Sequence, residues 1–557
     1  MWRMRLILSS LVYHWRSSVA VGAGVAAGTA VLTGALVVGD SMRASLRRLT
    51  LERLGRIDEV LVRDHFFRAR LADELAAQPD FHVHFAETLP AILLRVGLEN
   101  ADGSARASGV QLLGCEDRFW QLGHGGPDSP LADRQIVLNQ PLATQLRAKV
   151  NDRVTVWLPR GTMVPADTPL GQRRDTLEAE VLSVGAILPA EGLGRFSLAA
   201  NQQAPRNAYV SLKWLQRRLK REQQANAIFV AGPSADRNVP EESSEALQRM
   251  LKPTLADFGI QLKQTTRGYF SVTTDRMILD PAAERQILRS LDGMEVRPAL
   301  TYLANKIVCE AGIARRHQAA AVRDAKPRPE NRAAKKQLEK PWVAYATVTA
   351  VDFSDKRPLG PLLDTEGRPI GPLKEDEIVL NSWAAAQLNA QPGDEIQLSW
   401  FEPETLEGQV RERTGRLRLR AVAAMTEAAD DPALTPEVSG LTDKESVNDW
   451  DPPFPFHPEW LRLPEDDDYW QKHRATPKGF ISWHAGRMWH SRFGRATSLL
   501  IRPDSRVSPE ELHRRISLDP RELGFVFQPV KRQGLAAAQG TTPFSVLFLL
   551  FSFILIA

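Results

Sequence analysis

Ile136-Val137-Leu138-Asn139-Gln140-Pro141-Leu142-Ala143-Thr144-Gln145-Leu146 runs on to Asn151-Asp152, and a version of it returns 242 positions later. There it reads Ile378-Val379-Leu380-Asn381-Ser382-Trp383-Ala384-Ala385-Ala386-Gln387-Leu388, running on to Gly393-Asp394. The ungapped match includes Ala143, Gln145, Leu146, Ala148 and Asp152, which return as Ala385, Gln387, Leu388, Ala390 and Asp394. Both copies follow one physical plan. A short apolar strand ends in Asn, whose side chain can accept from an exposed backbone N–H and so start a helix. Two helical turns follow with Ala and Leu inward, then a turn at Asn151-Asp152 or Pro392-Gly393-Asp394. An alternating strand closes each unit, with Val154, Val156 and Leu158 in one and Ile396, Leu398 and Trp400 in the other.

Working outward, Asn207–Ser211 matches Lys478–Ser482, and Ala227–Val230 matches Ser498–Ile501, both 271 positions apart. The larger offset implies an insertion in the second copy, at about 427–478, rich in Pro, Asp and Trp and without helical or strand period, expected to be a loop. The start of each copy is marked more weakly, by the likeness of Ala86–Val96 to Pro298–Val308. The copies are therefore expected over 80–265 and 293–535, joined by a connector over 266–292. A Lys/Arg/Ala-rich excursion between 315 and 340 reads as a solvated loop or exposed helix. The fold class expected is α+β: two duplicated mixed α/β lobes side by side, with a surface or cleft between them.

Both ends of the chain are apolar. Ser17 to Gly39 holds no charge and lies between Arg16 and Asp40; at about 1.5 Å per residue it crosses a hydrocarbon core of about 30 Å. It is longer than a signal-peptide core and lacks a clear cleavage site. Gly24, Gly28 and Gly34 suit close packing of membrane helices, although small residues also simply fill such helices. Residues 1–16 mix Trp2, Leu6, Ile7, Leu11 and Trp15 with Arg3, Arg5 and Arg16, as an amphipathic helix in the membrane interface does. Residues 40–79 read as a stalk. A second apolar segment begins near Thr541, within 536–557, and is still running at Ala557; it reads as the truncated start of a second membrane helix. The N-terminus is expected inside and the large body outside. The Lys/Arg count does not decide this, but long domains translocate largely regardless of charge.

Chemistry is sparse. The chain has 71 basic and 67 acidic residues and no basic block with interleaved aromatics, so nucleic acid is not expected as a partner. Cys115 and Cys309 cannot form a disulfide framework or a zinc site alone and read as free buried thiols. Gly22-Ala23-Gly24 with Gly28 imitates a dinucleotide loop, but the charged stretch Ser41–Arg56 stands where that fold needs a second strand. Phe81-His82-Val83-His84-Phe85 would place two imidazoles on one face of a strand, half of a metal site without a visible third ligand. His484 and His490 lie on different helical faces. Gly123-His124-Gly125-Gly126 lacks the Lys-Ser/Thr of a phosphate loop. Asp466-Asp467-Asp468 could attract a cation but reads as a solvated run. No catalytic, cofactor or metal site is expected, and the chain is not expected to be an enzyme.

Taken together, these features resemble the FtsX-like permease family, the membrane subunits of ABC transporters of the macrolide-export and lipoprotein-release type. The likeness rests on Ile136–Asn139 with Asp152, on Ile378–Asn381 with Gly393 and Asp394, and on Lys531–Leu535 leading through Thr542–Ser545 into the second span. Two departures stand out: the outer region is about twice the family's usual size, and the later membrane helices are missing. The resemblance implies a multi-pass protein of the bacterial cytoplasmic membrane that hydrolyses nothing itself. Its partners would be a separate cytoplasmic ABC ATPase, a second permease copy in a homodimer, the lipid membrane, and a lipoprotein, lipid or hydrophobic cargo. The alternative is a membrane-anchored extracytoplasmic binding or sensor module without transport.

Overall fold

The computed structural model describes residues 2–159, 177–199, 205–236, 239–323, 340–402, 411–438, 440–452, 456–489, 494–503 and 507–539. The second apolar segment, from Thr541 on, lies outside them. A helix over Trp2–Tyr13 is followed, after a break at His14, by a helix over Trp15–Leu54. At about 1.5 Å per residue the second is about 60 Å long. Its apolar window is not buried against any of the described residues, and it is long and apolar enough to cross a membrane.

The expected stalk over 40–79 is corrected. Residues 40–54 simply continue the long helix, whereas Ile57–Arg68 is a strand and Arg70–Ala76 a helix, both part of the body. The charges Asp58, Glu59, Arg63 and Asp64 make this strand look solvated in the sequence. Yet Ile57, Val60, Leu61 and Phe67 are all buried, and so are Asp58 and Glu59.

Two sheets form the body. The first holds β1 (Ile57–Arg68), β2 (Glu87–Asn100), β3 (Arg106–Cys115), β4 (Gln135–Asn139), β5 (Arg153–Pro159), β6 (Leu177–Leu188), β7 (Asn207–Ser211) and β8 (Gln224–Ala231), in the order β1-β8-β2-β3-β7-β4-β6-β5. The second holds β9 (Ile260–Gln264), β10 (Phe270–Thr274), β11 (Val296–Val308), β12 (Trp342–Ala350), β13 (Glu377–Asn381), β14 (Glu395–Phe401), β15 (Glu412–Ala423), β16 (Gly479–Ile481) and β17 (Ser498–Ile501). Both are mixed. Pairings in the first have counterparts in the second: the antiparallel β1–β8 and β2–β8 correspond to β10–β17 and β11–β17. The parallel β3–β7 and β4–β6 correspond to β12–β16 and β13–β15. Even a slip in register falls at the same step, between Ile136 and Val137 and between Ile378 and Val379.

This register also re-aligns the weakly marked starts. Pro90 and Ala91 face Ile228 and Ala227, and Pro298 and Ala299 face Leu499 and Ser498. Equivalent residues therefore stand 208 apart, not the 212 of the sequence match. A shift by four keeps every side chain on its own face of the strand, so alternation alone could not detect the error.

The two sheets are tied to each other by an exchange of end segments, one a strand and the other a single bridge. β9, the last strand of the first half, pairs not with β1 but with β10, the first strand of the second half. Reciprocally, Gln528 at the end of the second half bridges to Val60 in β1, with N–H···O distances of 3.0 and 2.8 Å. The steps match: Lys263 faces Ser271, which faces Leu500, while Gln528 faces Val60, which faces Phe229. Each exchanged segment follows a glycine in the left-handed region, Gly259 at φ 70° and Gly524 at φ 77°. One apolar core, from Leu61 and Phe67 through Leu247 and Phe258 to Leu499 and Phe525, is therefore built from both halves.

The insertion over 427–478 is ordered by packing. It contributes short helical turns and a helix over Glu465–His473 that the sequence reading did not anticipate. Val438, Leu441, Leu461 and Trp470 cover Leu303, Ala344 and Tyr345 of the second sheet. The excursion after 310 begins as a helix, Glu310–Arg323; residues 324–339 lie outside the described ones.

Candidate functional site where the two terminal helices meet

The long N-terminal helix and the helix Val530–Gln539, which leads toward the second apolar segment, meet at one place on the first sheet. The long helix ends at Gly55, at φ 54°, where a Cβ would collide with the carbonyl of Leu122, so the turn into β1 requires glycine there. Arg56 then ties the turn down: its N–H donates to Leu122 O at 2.7 Å, and its guanidinium reaches Gly232 O at 2.9 Å and Glu87 at 3.1 Å.

The next two residues are the chemical centre of the root. Asp58 and Glu59 are both fully buried, and so is Lys531, whose Nζ lies 2.5 Å from Asp58 Oδ1. Glu59 Oε1 accepts from the Ser244 hydroxyl on the helix Glu241–Met250. Burial pushes the Glu59 carboxyl up to about 7; the Ser244 hydrogen bond and the charge of Arg532 pull the other way, and Asp58 adds to the rise. Three elements thus converge on two adjacent buried carboxylates: β1, the helix Glu241–Met250 and the helix Val530–Gln539. Val530 joins the apolar cluster of Leu54, Ile57, Val60, Phe119 and Leu122 just beside them.

Above the root the two legs lie against each other at Gly534. A Cβ there would stand 2.7 Å from Thr50 Cγ2 and 3.0 Å from Arg53 Nη2, closer than atoms pack. Arg53 is itself buried and donates to Ala199 O. Gly24, Gly28 and Gly34, by contrast, have nothing within 4 Å of a Cβ position among the described residues. Among the described residues the two helices approach closely at Gly534, which the sequence reading did not single out as a packing residue. Its signal was available in Lys531-Arg532-Gln533-Gly534-Leu535, as a lone Gly inside an amphipathic helix.

The repeated motif residues do structural work. Asn139 Oδ1 accepts from Leu142 N at 3.3 Å and Asn207 N at 3.1 Å, while Nδ2 donates to Gly194 O and Pro205 O at 3.0 and 2.7 Å. Asn381 accepts from Ala384 N at 2.8 Å and donates to Tyr469 Oη at 2.9 Å and Pro477 O at 3.1 Å. Asp152 and Asp394 each accept at Oδ2 from the backbone three residues earlier, Lys149 N and Gln391 N, both at 2.7 Å. Gly393, at φ 99°, occupies the step that Asn151 fills at φ 73°.

The remaining candidates separate. His82 and His84 lie on a short helix, Phe81–His84, not a strand: Phe81 and Phe85 are both buried at a spacing of four, and the N–H of Phe85 donates to Phe81 O. His84 Nδ1 is 3.2 Å from Ser243 Oγ. The run 466–468 is not merely solvated. Asp466 is buried, 3.4 Å from Lys478 Nζ, and Asp467 accepts from Ser446 and from Val447 N. Cys115 and Cys309 are free and buried in different cores. His490 lies outside the described residues. Gly123–Gly126 is a loop in which His124 O accepts from Leu193 N at 2.9 Å. Among the described residues no three His, Cys, Asp or Glu side chains are grouped to hold a metal.

No family model matches the chain, and no curated protein matches it. Among solved structures it is similar to the periplasmic region of MacB from Actinobacillus actinomycetemcomitans, at 12% identity over 36% of this chain and 87% of that one, with a TM-score of 0.22. It is also similar to the extracellular domain of the noncanonic ABC-type transporter YknZ from Gram-positive bacteria, at 11% identity over 35% of this chain and 91% of that one, with the same TM-score of 0.22.

Proposed function

We propose that the chain is a permease subunit of an ABC transporter, in which a duplicated two-lobe body is moved by its two membrane legs. The observation that carries this reading is the shared root. A helix long and apolar enough to cross a membrane and the helix Val530–Gln539 converge on the buried Asp58–Lys531 pair and on the Val60–Gln528 bridge. Any relative motion of the legs would be delivered to β1 and to the exchanged strand together, and so to both sheets. The ATP would be hydrolysed by a separate cytoplasmic subunit. The cargo would be a lipoprotein, lipid or other hydrophobic compound released at the outer leaflet of a bacterial cytoplasmic membrane. Two copies would act as a pair, with Gly24, Gly28 and Gly34 at the contacts between spans.

The test is co-purification of the tagged intact protein from membranes with an ATPase of the P-loop type encoded beside it. The expected result is a complex whose ATP turnover changes when Thr50 and Gly534 are both replaced by Cys and bridged by oxidation. Absence of any associated ATPase, or turnover indifferent to that bridge in a formed complex, would overturn it.

A further inference from the structure

The strands β2, β3, β7, β4, β6 and β5 follow one another around a closed ring, because β5 pairs back onto β2. In the second half β12, β16, β13, β15, β14 and β11 close in the same way, through the pairing of β11 with β12. Val154, Val156, Leu158, Leu182 and Val184 belong to the apolar core of the first ring. Side chains alternate along a strand, so Trp157 of β5 and Leu177, Ala179 and Val181 of β6 face outward. Trp157 lies opposite Ala179, between the pairs Thr155–Val181 and Pro159–Leu177. Trp157 is 37% exposed, Leu177 53% and Val181 50%. Single exposed apolar residues are ordinary, but neighbours grouped on one outer face mark a contact surface.

The second half carries a different face at the same place. Ser183 and Arg418 correspond: each lies opposite the first residue of the neighbouring strand, Arg153 or Glu395, and donates its N–H to Arg134 O or Asp376 O. Counting back from them, Leu177, Ala179 and Val181 become Glu412, Thr414 and Arg416, and Trp157 becomes Ser399. Opposite Ser399 stands Lys306, whose Nζ lies 3.6 Å from the ring centroid of Trp460 in the insertion. Opposite Trp157 stands Gly97, and the first half lacks that insertion. One copy of the face is thus polar and partly overlain by its own chain, while the other is apolar and bare.

The bare stretch is also an edge. β4 joins β6 only from Ser183 on, so residues 177–182 have β5 on one side and no strand on the other among the described residues. Every second residue there turns its N–H and C=O away from β5. Charged side chains blunt such edges, as Glu412, Arg413 and Arg416 do in the second half. The first half has only Glu178 and Glu180 within this stretch, the latter 3.4 Å from Arg218. Unpaired backbone groups beside an apolar face call for a polypeptide strand. A second copy pairing about Ala179, apolar face to apolar face, would set Glu178 against Glu180, and like charges directly opposite destabilise a strand pair. A basic strand meets the same two carboxylates favourably.

We propose that this edge and the Trp157 face beside it dock an extended segment of another protein as an added strand, its apolar residues alternating with Lys or Arg. The site stands beside the transport reading and does not depend on it.

The probe is a short, end-blocked, fluorescent peptide of alternating Val and Lys, titrated into the intact protein in detergent and followed by anisotropy. Saturable binding is expected, with slowed hydrogen exchange at residues 177–182. Replacing Lys by Glu in the peptide, or making the variant Leu177→Glu with Val181→Arg, should each weaken binding by about tenfold or more. Both altered side chains are exposed, and the amides of Val60 and Gln528 should keep their exchange rates, reporting an intact body. No saturable binding, equal binding of the Glu peptide, or undiminished binding by that folded variant would overturn the proposal. Self-association of the unaltered protein that the variant loses would overturn it in favour of a second copy.

Discussion

Replacing Lys531 by Met would take from the fully buried Asp58 carboxylate the ammonium that stands 2.5 Å from it. The separation of 2.5 Å corresponds to about 7 kcal/mol of gross attraction at an effective dielectric of about 20. Most of that is cancelled by the several kcal/mol needed to strip water from each ion, which is why intact buried pairs contribute little net stability. Breaking one is different, because desolvation of the survivor is no longer offset, and the cost is about 3–5 kcal/mol. The loss is local, falling on the bridge between Val60 and Gln528 and on the first turn after it. Hydrogen exchange in the intact protein is the suitable assay. The amides of Val60, Gln528 and Gln533, which donate to Gln528 O, Val60 O and Pro529 O, should exchange faster by two to nearly four orders of magnitude, at about 1.4 kcal/mol per factor of ten. The double variant Asp58→Leu with Lys531→Met should recover most of this protection, since it buries no charge. Acceleration below tenfold in the single variant, or a double variant as unprotected as the single, would refute the claim that this pair holds the root together.

Three further outcomes are expected. Because the Glu59 carboxyl is raised from 4.5 to about 7 in the folded protein, folding binds a proton there. Its contribution of about 3 kcal/mol is fully present below pH 4.5, is lost as pH rises through 7, and disappears as a pH dependence in Glu59→Gln, as denaturant unfolding at pH 5 and pH 8 would report. Asn139→Ala and Asn381→Ala should each cost about 2–3 kcal/mol in denaturant unfolding, because the helix cap and buried carbonyl partners are lost together. Asn139→Asp should also destabilise, since the carboxylate keeps the acceptor but cannot donate to Gly194 O and Pro205 O. Gly534→Leu should push the helix Val530–Gln539 off Thr50 and Arg53, read as faster hydrogen exchange at the Gln533 amide, which donates to Pro529 O. Gly24→Leu with Gly28→Leu should leave that exchange unchanged and weaken association of copies in membranes.

Much of the architecture was legible where local chemistry repeats. Asn139 and Asn381 announce themselves because a strand-ending Asn before an Ala/Leu pair has few other uses, and the helices they cap lie at Gln140–Leu146 and Ser382–Leu388. The root was nearly invisible for the opposite reason. Asp58 and Glu59 read as solvent-facing until Lys531 and Ser244, distant in sequence, are brought to them. His82 and His84 were misplaced because Phe81-x-x-x-Phe85 satisfies a period of two and a period of four equally, and only packing decides between them. The exchanged segments escaped notice because Ile260-Gln261-Leu262 and Phe525-Val526-Phe527 share a pattern but no residue, and their partners are set by register across the whole body.

That exchange has a consequence for how the molecule comes into being. Arg63 and Gly524 touch across 461 residues of chain, so the first half cannot finish its own edge until almost the last of the body has emerged. Until then β1 waits with an open row of amides and carbonyls, an invitation to any stray strand. A chain cut short before Phe525 would carry that invitation permanently, and a cell making this protein must shelter the unfinished edge until the second leg arrives.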